Sequence, residues 1–285
     1  MTGVEVPPLL PLLYEDFVRR TLQEDLGRAG DLTSDATIPD EVTTVGRLVA
    51  RADGRLAGLD VALAAFRQLD PRLAVEVHGR DGRDVVKGDL LALVRGPART
   101  MLGAERTALN FLGHLSGVAT TTRGIVRAIA GTGARVVCTR KTTPGFRALE
   151  KYAVRCGGGA NHRFGLDDAI LIKDNHRAVA GGITPAVERA RRYAGHLVKV
   201  EVEVSTLEQL DEAIAAGADV VMLDNMSLEL LRAAVARAGK RVVLEASGGI
   251  TPETAPAVAQ TGVDLLSVGW LTHSAPNLDV ALDVE

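Results

Sequence analysis

Two cation pairs stand where few residue types could do more. Arg140 and Lys141 end the apolar run Val136-Val137-Cys138-Thr139, and Arg163 follows His162 directly after Gly157-Gly158-Gly159-Ala160-Asn161. Cations delivered by an apolar strand end or a glycine-rich loop are suited to holding anions. An Arg fork meets a planar carboxylate with two parallel hydrogen bonds, and a Lys supplies a point charge. A further cation, Lys173, ends "LIKDN", and carboxylates end two other apolar runs, Glu203 in "VEVEVS" and Asp224 in "VMLDN". A rim of cations with two carboxylates opposite suits a small ligand carrying several anionic groups. The carboxylates are then free to face a bound cation or a developing positive charge.

Glycines supply the third ingredient. Ser247-Gly248-Gly249 ends "LEASGG" just before Thr251-Pro252, and Gly269 repeats the device in "SVGW". Glycines let backbone N–H groups approach an oxygen closely, and a helix that starts there favours an anion such as phosphate. Each feature has a plainer reading beside the functional one. Arg140 and Lys141 can be a solvated strand end, the carboxylates an internal salt-bridge ladder, and the glycines a tight strand-to-helix turn. No spacing of His, Cys and carboxylate residues reads as a tightly held zinc. Mg²⁺ carried in by phosphates is compatible with Glu203 and Asp224.

These residues need a frame that brings strand ends together. From Gly133 onward one unit recurs: a short apolar strand, a polar end, then a helix. The strands read as "ARVVCTRK", "DAILIKDN", "LVKVEVEVS", "DVVMLDN", "RVVLEASGG" and "DLLSVGW". Repeated strand–helix alternation predicts a parallel sheet, and polar residues gathered at strand C-termini favour a barrel. Six strands predict an incomplete α/β barrel. Alternation in "LVKVEVEVS" sets Val198, Val200, Val202 and Val204 toward the helices and Lys199, Glu201 and Glu203 into the barrel lumen. Before residue 116 the pattern is different: strand-like runs, Asp-Gly turns and one short amphipathic helix predict a small α+β sandwich. The expected organisation is 1–115 sandwich, 116–274 barrel with the phosphate site, and 275–285 a C-terminal segment packing back on the first domain. A long helix opens near Arg99. Arg106, Asn110, Gly113 and Gly117 share one of its faces, and that face can let another backbone approach closely.

Composition excludes other classes. The chain has 285 residues, a formal net charge of −3 and two cysteines, Cys138 and Cys156. The charge argues against a general nucleic-acid or anionic-membrane binder. Two cysteines without a paired spacing read as reduced thiols of a cytoplasmic protein. The N-terminal "VPPLLPLLY" is too short to span a bilayer and is broken by prolines.

Nearly end to end, the chain resembles the quinolinate phosphoribosyltransferase family. The resemblance rests on "EDLGRAGDLTSDATIP", "ERTALNFLGHLSGVATTT", "TRKTTPGFRALEKYAVRCGGGANHRFGLDDAILIKDNH", "VEVEVS", "GADVVMLDN", "EASGGI" and "GVDLLSVGWLTHSAP". It implies transfer of phosphoribose from phosphoribosyl pyrophosphate to quinolinate with decarboxylation, giving nicotinate mononucleotide, pyrophosphate and CO₂. Thr139, Arg140, His162 and Arg163 are then expected on quinolinate, together with Arg106 from the partner subunit of a homodimer. Lys141 and Lys173 are expected around the carboxylates and pyrophosphate. Glu203 and Asp224 would face the ribose and Mg²⁺, and Ser247, Gly248, Gly249 and Gly269 would cradle the 5′-phosphate. Three rivals stay open: a sister transferase with another acceptor, a Schiff-base aldolase using Lys173, and a non-catalytic phosphate-ligand sensor.

Overall fold

The computed structural model describes residues 6–285. In chain order, α1 (Glu15–Leu26) and α2 (Leu32–Thr37) lead to β1 (Thr43–Ala50), β2 (Gly54–Arg55), α3 (Leu59–Leu69), β3 (Ala74–Val77), β4 (Asp84–Val85) and β5 (Leu90–Pro97). The long α4 (Ala98–Ala128) follows. Next come β6 (Arg135–Val137), α5 (Arg147–Cys156), β7 (Ile170–Ile172), α6 (Asp174–Ala180), α7 (Ile183–Tyr193) and β8 (Val200–Val204). The chain closes with α8 (Leu207–Ala215), β9 (Val220–Asp224), α9 (Leu228–Ala238), β10 (Val243–Ser247), α10 (Ala255–Ala259), β11 (Leu265–Ser267) and β12 (Val280–Val284). They form two compact units. One holds the residues up to Arg123 with Thr143–Gly158 and Ser274–Glu285; the other holds Gly124–Thr142 and Gly159–His273.

The first unit is built on a four-stranded sheet, β12-β1-β5-β3, with antiparallel neighbours throughout. Helix α3 buries Leu59, Leu63 and Phe66, as its apolar spacing dictates. Helix α2 is six residues long, and its N-terminus is capped by Asp31, whose side chain accepts from the Thr33 and Ser34 amides. The small-residue face of α4 does admit a close backbone, and that backbone is the chain's own. Leu278 donates its amide to the Gly113 carbonyl, and a Cβ at Gly117 would lie 2.1 Å from the Pro276 carbonyl oxygen. The glycines of this face are therefore covered within the subunit and give no argument for a subunit contact, while Arg106 and Asn110 stay exposed. Gly117→Ala is expected to destabilise the protein by about 1–3 kcal/mol through overpacking. Gly124→Ala, in the same helix with open space around its Cβ, should be neutral or slightly stabilising. Thermal melts of the two variants check the pair.

The second unit is the barrel. Its six-stranded sheet runs β6-β11-β10-β9-β8-β7, and every neighbouring pair is parallel. Each strand from β7 to β11 thus lies beside its successor, and β11 returns to β6. That cyclic order is a barrel open at one seam, between β6 and β7. A single parallel bridge from Ala160 to Val137 enters the seam from the β6 side. Val202, Val221, Leu244 and Leu266, all on the outward face, form one apolar core with Val187, Leu210, Leu231 and Val258 of the helices. Glu201 and Glu203 point the other way, as the period-two reading requires. Lys199 does not join them: it precedes β8 and reaches outward, its Nζ 3.2 Å from Asp219 Oδ1 and its side chain 71% exposed. Helix α6 was not foreseen. It is short and buries no residue, so it lacks an apolar period, and it begins where Lys173 donates its amide to His176 Nδ1.

Candidate active site

Strand order places the polar ends around one circle. The basic side chains come from the β6 end (Arg140, Lys141), the Ala160 bridge (Arg163, with the His162 ring beside it) and the β7 end (Lys173). The carboxylates come next, Glu203 on β8 and Asp224 at the end of β9. The glycines follow, Gly248 and Gly249 after β10 and Gly269 after β11, and the circle returns to β6. The charges are sorted by strand, not mixed.

Arg140 and Arg163 are near neighbours. Burial first, and then the Arg140 charge, lower Arg163 below the usual guanidinium range. The Nε atoms of both are buried and make no hydrogen bond among the described residues. Two like charges held together with buried donors left over are costly unless an anion completes them. Arg163 is held at two points. Its amide donates to His162 Nδ1 at 2.7 Å, and Nη1 donates to the Ala169 carbonyl at 2.9 Å. Thr139 shapes the β6 turn, with its Oγ1 accepting the Lys141 amide at 3.0 Å.

Lys173 Nζ stands 4.0 Å from Glu203 Oε2. Burial raises Glu203 above the usual carboxylate range; the Lys173 charge pulls against this and the Asp224 charge pushes with it. Two neighbouring carboxylates of this kind, oxygen donors with charge to spare, fit a hard divalent cation. Asp224 accepts from Asn225 Nδ2 at 2.9 Å, and Asn225 itself adopts the left-handed region at φ 51°. Its amide donates to the Ser247 carbonyl, which locks the β9 and β10 ends together.

Gly248 has φ 100°, and a Cβ there would lie 2.0 Å from Asn225 Oδ1. Gly249 follows at φ 60° with open space beside it. Only glycine holds this turn without strain, and the result is a backbone surface bare of side chains. The helix expected to start at Thr251-Pro252 starts later, at Ala255. Thr251 and Thr254 first exchange amide-to-hydroxyl bonds that make a separate turn. At Gly269, a Cβ would come within 2.9 Å of the Lys141 Cδ, so this glycine lets the lysine stem lie against the backbone. Thr272 Oγ1 donates to the Lys141 carbonyl at 2.7 Å and pins that end.

One group was missed in the sequence. Glu245, between Leu244 and Ala246 on β10 and on the opposite face from them, is buried, and its Oε1 lies 3.7 Å from His162 Nε2. Glu201 Oε2 lies 2.9 Å from the same nitrogen. The signal was available, because a Glu inside the apolar run "VVLEAS" must point opposite Leu244 and Ala246. Arg106 belongs to the other unit and is exposed on α4.

Comparison with known proteins finds matches along nearly the whole chain. The family model described as "Quinolinate phosphoribosyl transferase, C-terminal domain" matches residues 118–283, and the corresponding N-terminal domain model matches 31–116. A Bacillus subtilis protein named probable nicotinate-nucleotide pyrophosphorylase [carboxylating] is 48% identical over 92% of this chain and 90% of its own. A Mycobacterium leprae nicotinate-nucleotide pyrophosphorylase [carboxylating] is 46% identical over 94% of this chain and 96% of its own. The solved nicotinate-nucleotide pyrophosphorylase of Francisella tularensis superposes with a TM-score of 0.94 at 40% identity, covering 100% of both chains.

Proposed function

Because the chain belongs to the quinolinate phosphoribosyltransferase family, we propose that its barrel carries out that family's reaction with the residues described above. The chain is a pentosyltransferase: it moves phosphoribose from phosphoribosyl pyrophosphate to quinolinate, in the formation of nicotinate mononucleotide for NAD. The observation that carries the site assignment is the Arg140–Arg163 pair with its two buried, unpartnered Nε donors.

Arg140 and Arg163 take the two quinolinate carboxylates, with Thr139 and His162 setting the turn and ring beside them. Lys141 and Lys173 face the remaining anionic groups, the carboxylates and the pyrophosphate. The Ser247-Gly248-Gly249 turn and Gly269 receive the 5′-phosphate. As the bond from C1′ to pyrophosphate breaks, the ribose ring gains positive charge, and Glu203 and Asp224 stabilise it. The quinolinate nitrogen attacks with its own lone pair, so no general base is required. Its lone pair becomes the new N–C1′ bond and leaves the ring cationic. The adjacent C2–carboxylate bond then breaks, CO₂ departs, and the electron pair left on C2 takes a proton from solvent water. Holding both anionic substrates together supplies proximity that their mutual repulsion denies in solution. Mg²⁺ would be held by Glu203 and Asp224, and when bound it neutralises charge on the diphosphate.

A homodimer is part of this reading, with Arg106 of each subunit reaching the other's site. Its support is the exposure of a cation on α4, not the small-residue face, which the chain itself covers. This reading takes the cytoplasm as the compartment, in keeping with two buried cysteines, Cys138 and Cys156, read as reduced thiols. Among the described residues no helix is long and apolar enough to cross a membrane.

The test is an assay with Mg²⁺, phosphoribosyl pyrophosphate and either quinolinate or nicotinate, following nicotinate mononucleotide and CO₂. Product from quinolinate alone is expected. Product from neither, with phosphoribosyl pyrophosphate still bound, would sink the acceptor assignment. Gly248→Ala should weaken phosphoribosyl pyrophosphate binding by about tenfold or more, since both φ and the Asn225 contact oppose a Cβ. Quinolinate binding alone should change little, which calorimetry of the two ligands checks.

A further inference from the structure

The barrel lumen holds a group that the reaction just described leaves unused. Glu201 and Glu245 are buried, with side chains 8% and 1% exposed. Their strand partners offer no charge to balance them: Glu201 stands opposite Leu171 and Val220, and Glu245 opposite Met222 and Leu265. The polar group that meets both is the His162 ring.

The ring's tautomer follows from its contacts. His162 Nδ1 accepts the Arg163 amide proton at 2.7 Å, so that nitrogen carries no hydrogen. The proton is on Nε2, aimed at Glu201 Oε2 2.9 Å away. The three donor atoms lie within 4.8 Å of one another, a spacing that a small cation could also use. Nε2, however, presents N–H and not a lone pair, so the arrangement holds a proton and not a metal. Burial, and next the Glu201 charge, raise Glu245 above the usual carboxylate range. Glu245 thus stands near the same ring nitrogen as Glu201.

We propose that Glu201, backed by Glu245, is a positioning residue for quinolinate recognition: it fixes the His162 tautomer, so that Nδ1 holds the Arg163 amide and the Arg163 guanidinium is aimed at the ligand. This rests on the quinolinate reading given above. Arg163 is then tied at its amide by His162 and at its tip by the Ala169 carbonyl, with Nε left over. Glu201 acts through two intermediaries and touches no substrate.

The experiment compares Glu201→Leu and Glu201→Gln with the wild type. Leu removes the acceptor; the Gln amide oxygen can still accept the Nε2 proton. Glu201→Leu is expected to raise KM for quinolinate by about 10–100-fold while KM for phosphoribosyl pyrophosphate stays within about twofold. Glu201→Gln should stay within about threefold of wild type for both. Imidazole ¹⁵N shifts of labelled His162 should place the proton on Nε2 in the wild type and in Glu201→Gln. A wild-type proton on Nδ1 would overturn the inference, and so would a folded Glu201→Leu that weakens both substrates equally or neither. Should Glu201→Leu fail to fold, the wild-type spectrum and the Gln variant decide: equal loss of both substrates in Glu201→Gln overturns it. Wild-type protein that binds no quinolinate would overturn the functional reading. Normal wild-type binding with an unaffected Glu201→Leu would overturn only this inference.

Discussion

Replacing Arg140 with alanine should lower kcat/KM for quinolinate by roughly 10²–10³-fold and leave phosphoribosyl pyrophosphate binding intact. The size follows from what the side chain does in the site. A guanidinium that pairs bidentately with a carboxylate cannot be replaced by water at the same strength once the pair is shielded. Its loss also leaves the ligand carboxylate without its partner, which accounts for part of the cost. The selectivity follows from strand order. Arg140 follows β6 beside Arg163, whereas the Gly248-Gly249 turn follows β10, two strands away, and Gly269 on the adjacent β11 faces Lys141 and Thr139. Arg140→Lys should recover only part of the loss, because a point charge cannot reproduce the fork. Titration of each substrate separately into the variant measures the split, and equal loss of both would place Arg140 on a shared group instead.

Glu203→Gln is expected to reduce kcat by about 10²–10³-fold with little change in KM for quinolinate. The carboxylate is partly buried beside Lys173 and Asp224, and the swap preserves its shape while removing its charge. Besides the Mg²⁺ it would help to hold, Glu203 on the proposed role answers a charge that appears as the ribose loses pyrophosphate, so at saturating Mg²⁺ the effect belongs to the transition state. Single-turnover rates at saturating substrate check this. An unchanged kcat would assign Glu203 to the barrel's internal ladder. The same variant probes the proposed dimer. Mixed with Arg106→Ala under conditions of proven subunit exchange, random pairing gives about half hybrids with one intact site of two, or about one quarter of wild-type activity. No recovery would keep Arg106 within its own subunit's site or outside the site altogether.

Much of this was readable from residues alone, for reasons that differ by level. The barrel strands were legible because each is a short apolar run with a polar end, and a strand buried on its helix-facing side needs that pattern. Glu203 and Asp224 were legible because period two and position at the strand end together fix where a side chain points. Lys199 misled because alternation says which face a residue takes but not where the strand begins, and it lies one residue before Val200. Helix α6 was hidden because nothing in it is buried. The partner of the α4 glycines was hidden for another reason. Small residues announce that some backbone comes close, but the residue that does so, Pro276, is 159 positions beyond Gly117 and carries no mark of it. Glu245 was hidden by neighbours: in "LEASGG" the glycines draw the eye, and a lone acid in a strand is read as solvated. The glycine turn itself was placed correctly, but the helix after it begins four residues beyond Thr251 because two threonine hydroxyls capture the amides first.

The pairing of β12 with β1 sets an order of assembly on the ribosome. The final strand, Val280–Val284, is an edge of the first unit's sheet, joined to Gly46–Ala50. Between them in the chain lies most of the barrel, whose long stretch Gly159–His273 is contiguous. The barrel's strands are complete in the nascent chain once Ser267 has emerged, and each needs only its predecessor until β11 closes on β6. The first unit, whose β1 precedes β12 by more than two hundred residues, must wait for Val280–Val284 to be made. Synthesis therefore presents β1 with an unpaired edge for the whole time the barrel is being built, and the unit begun before the barrel finishes folding after it.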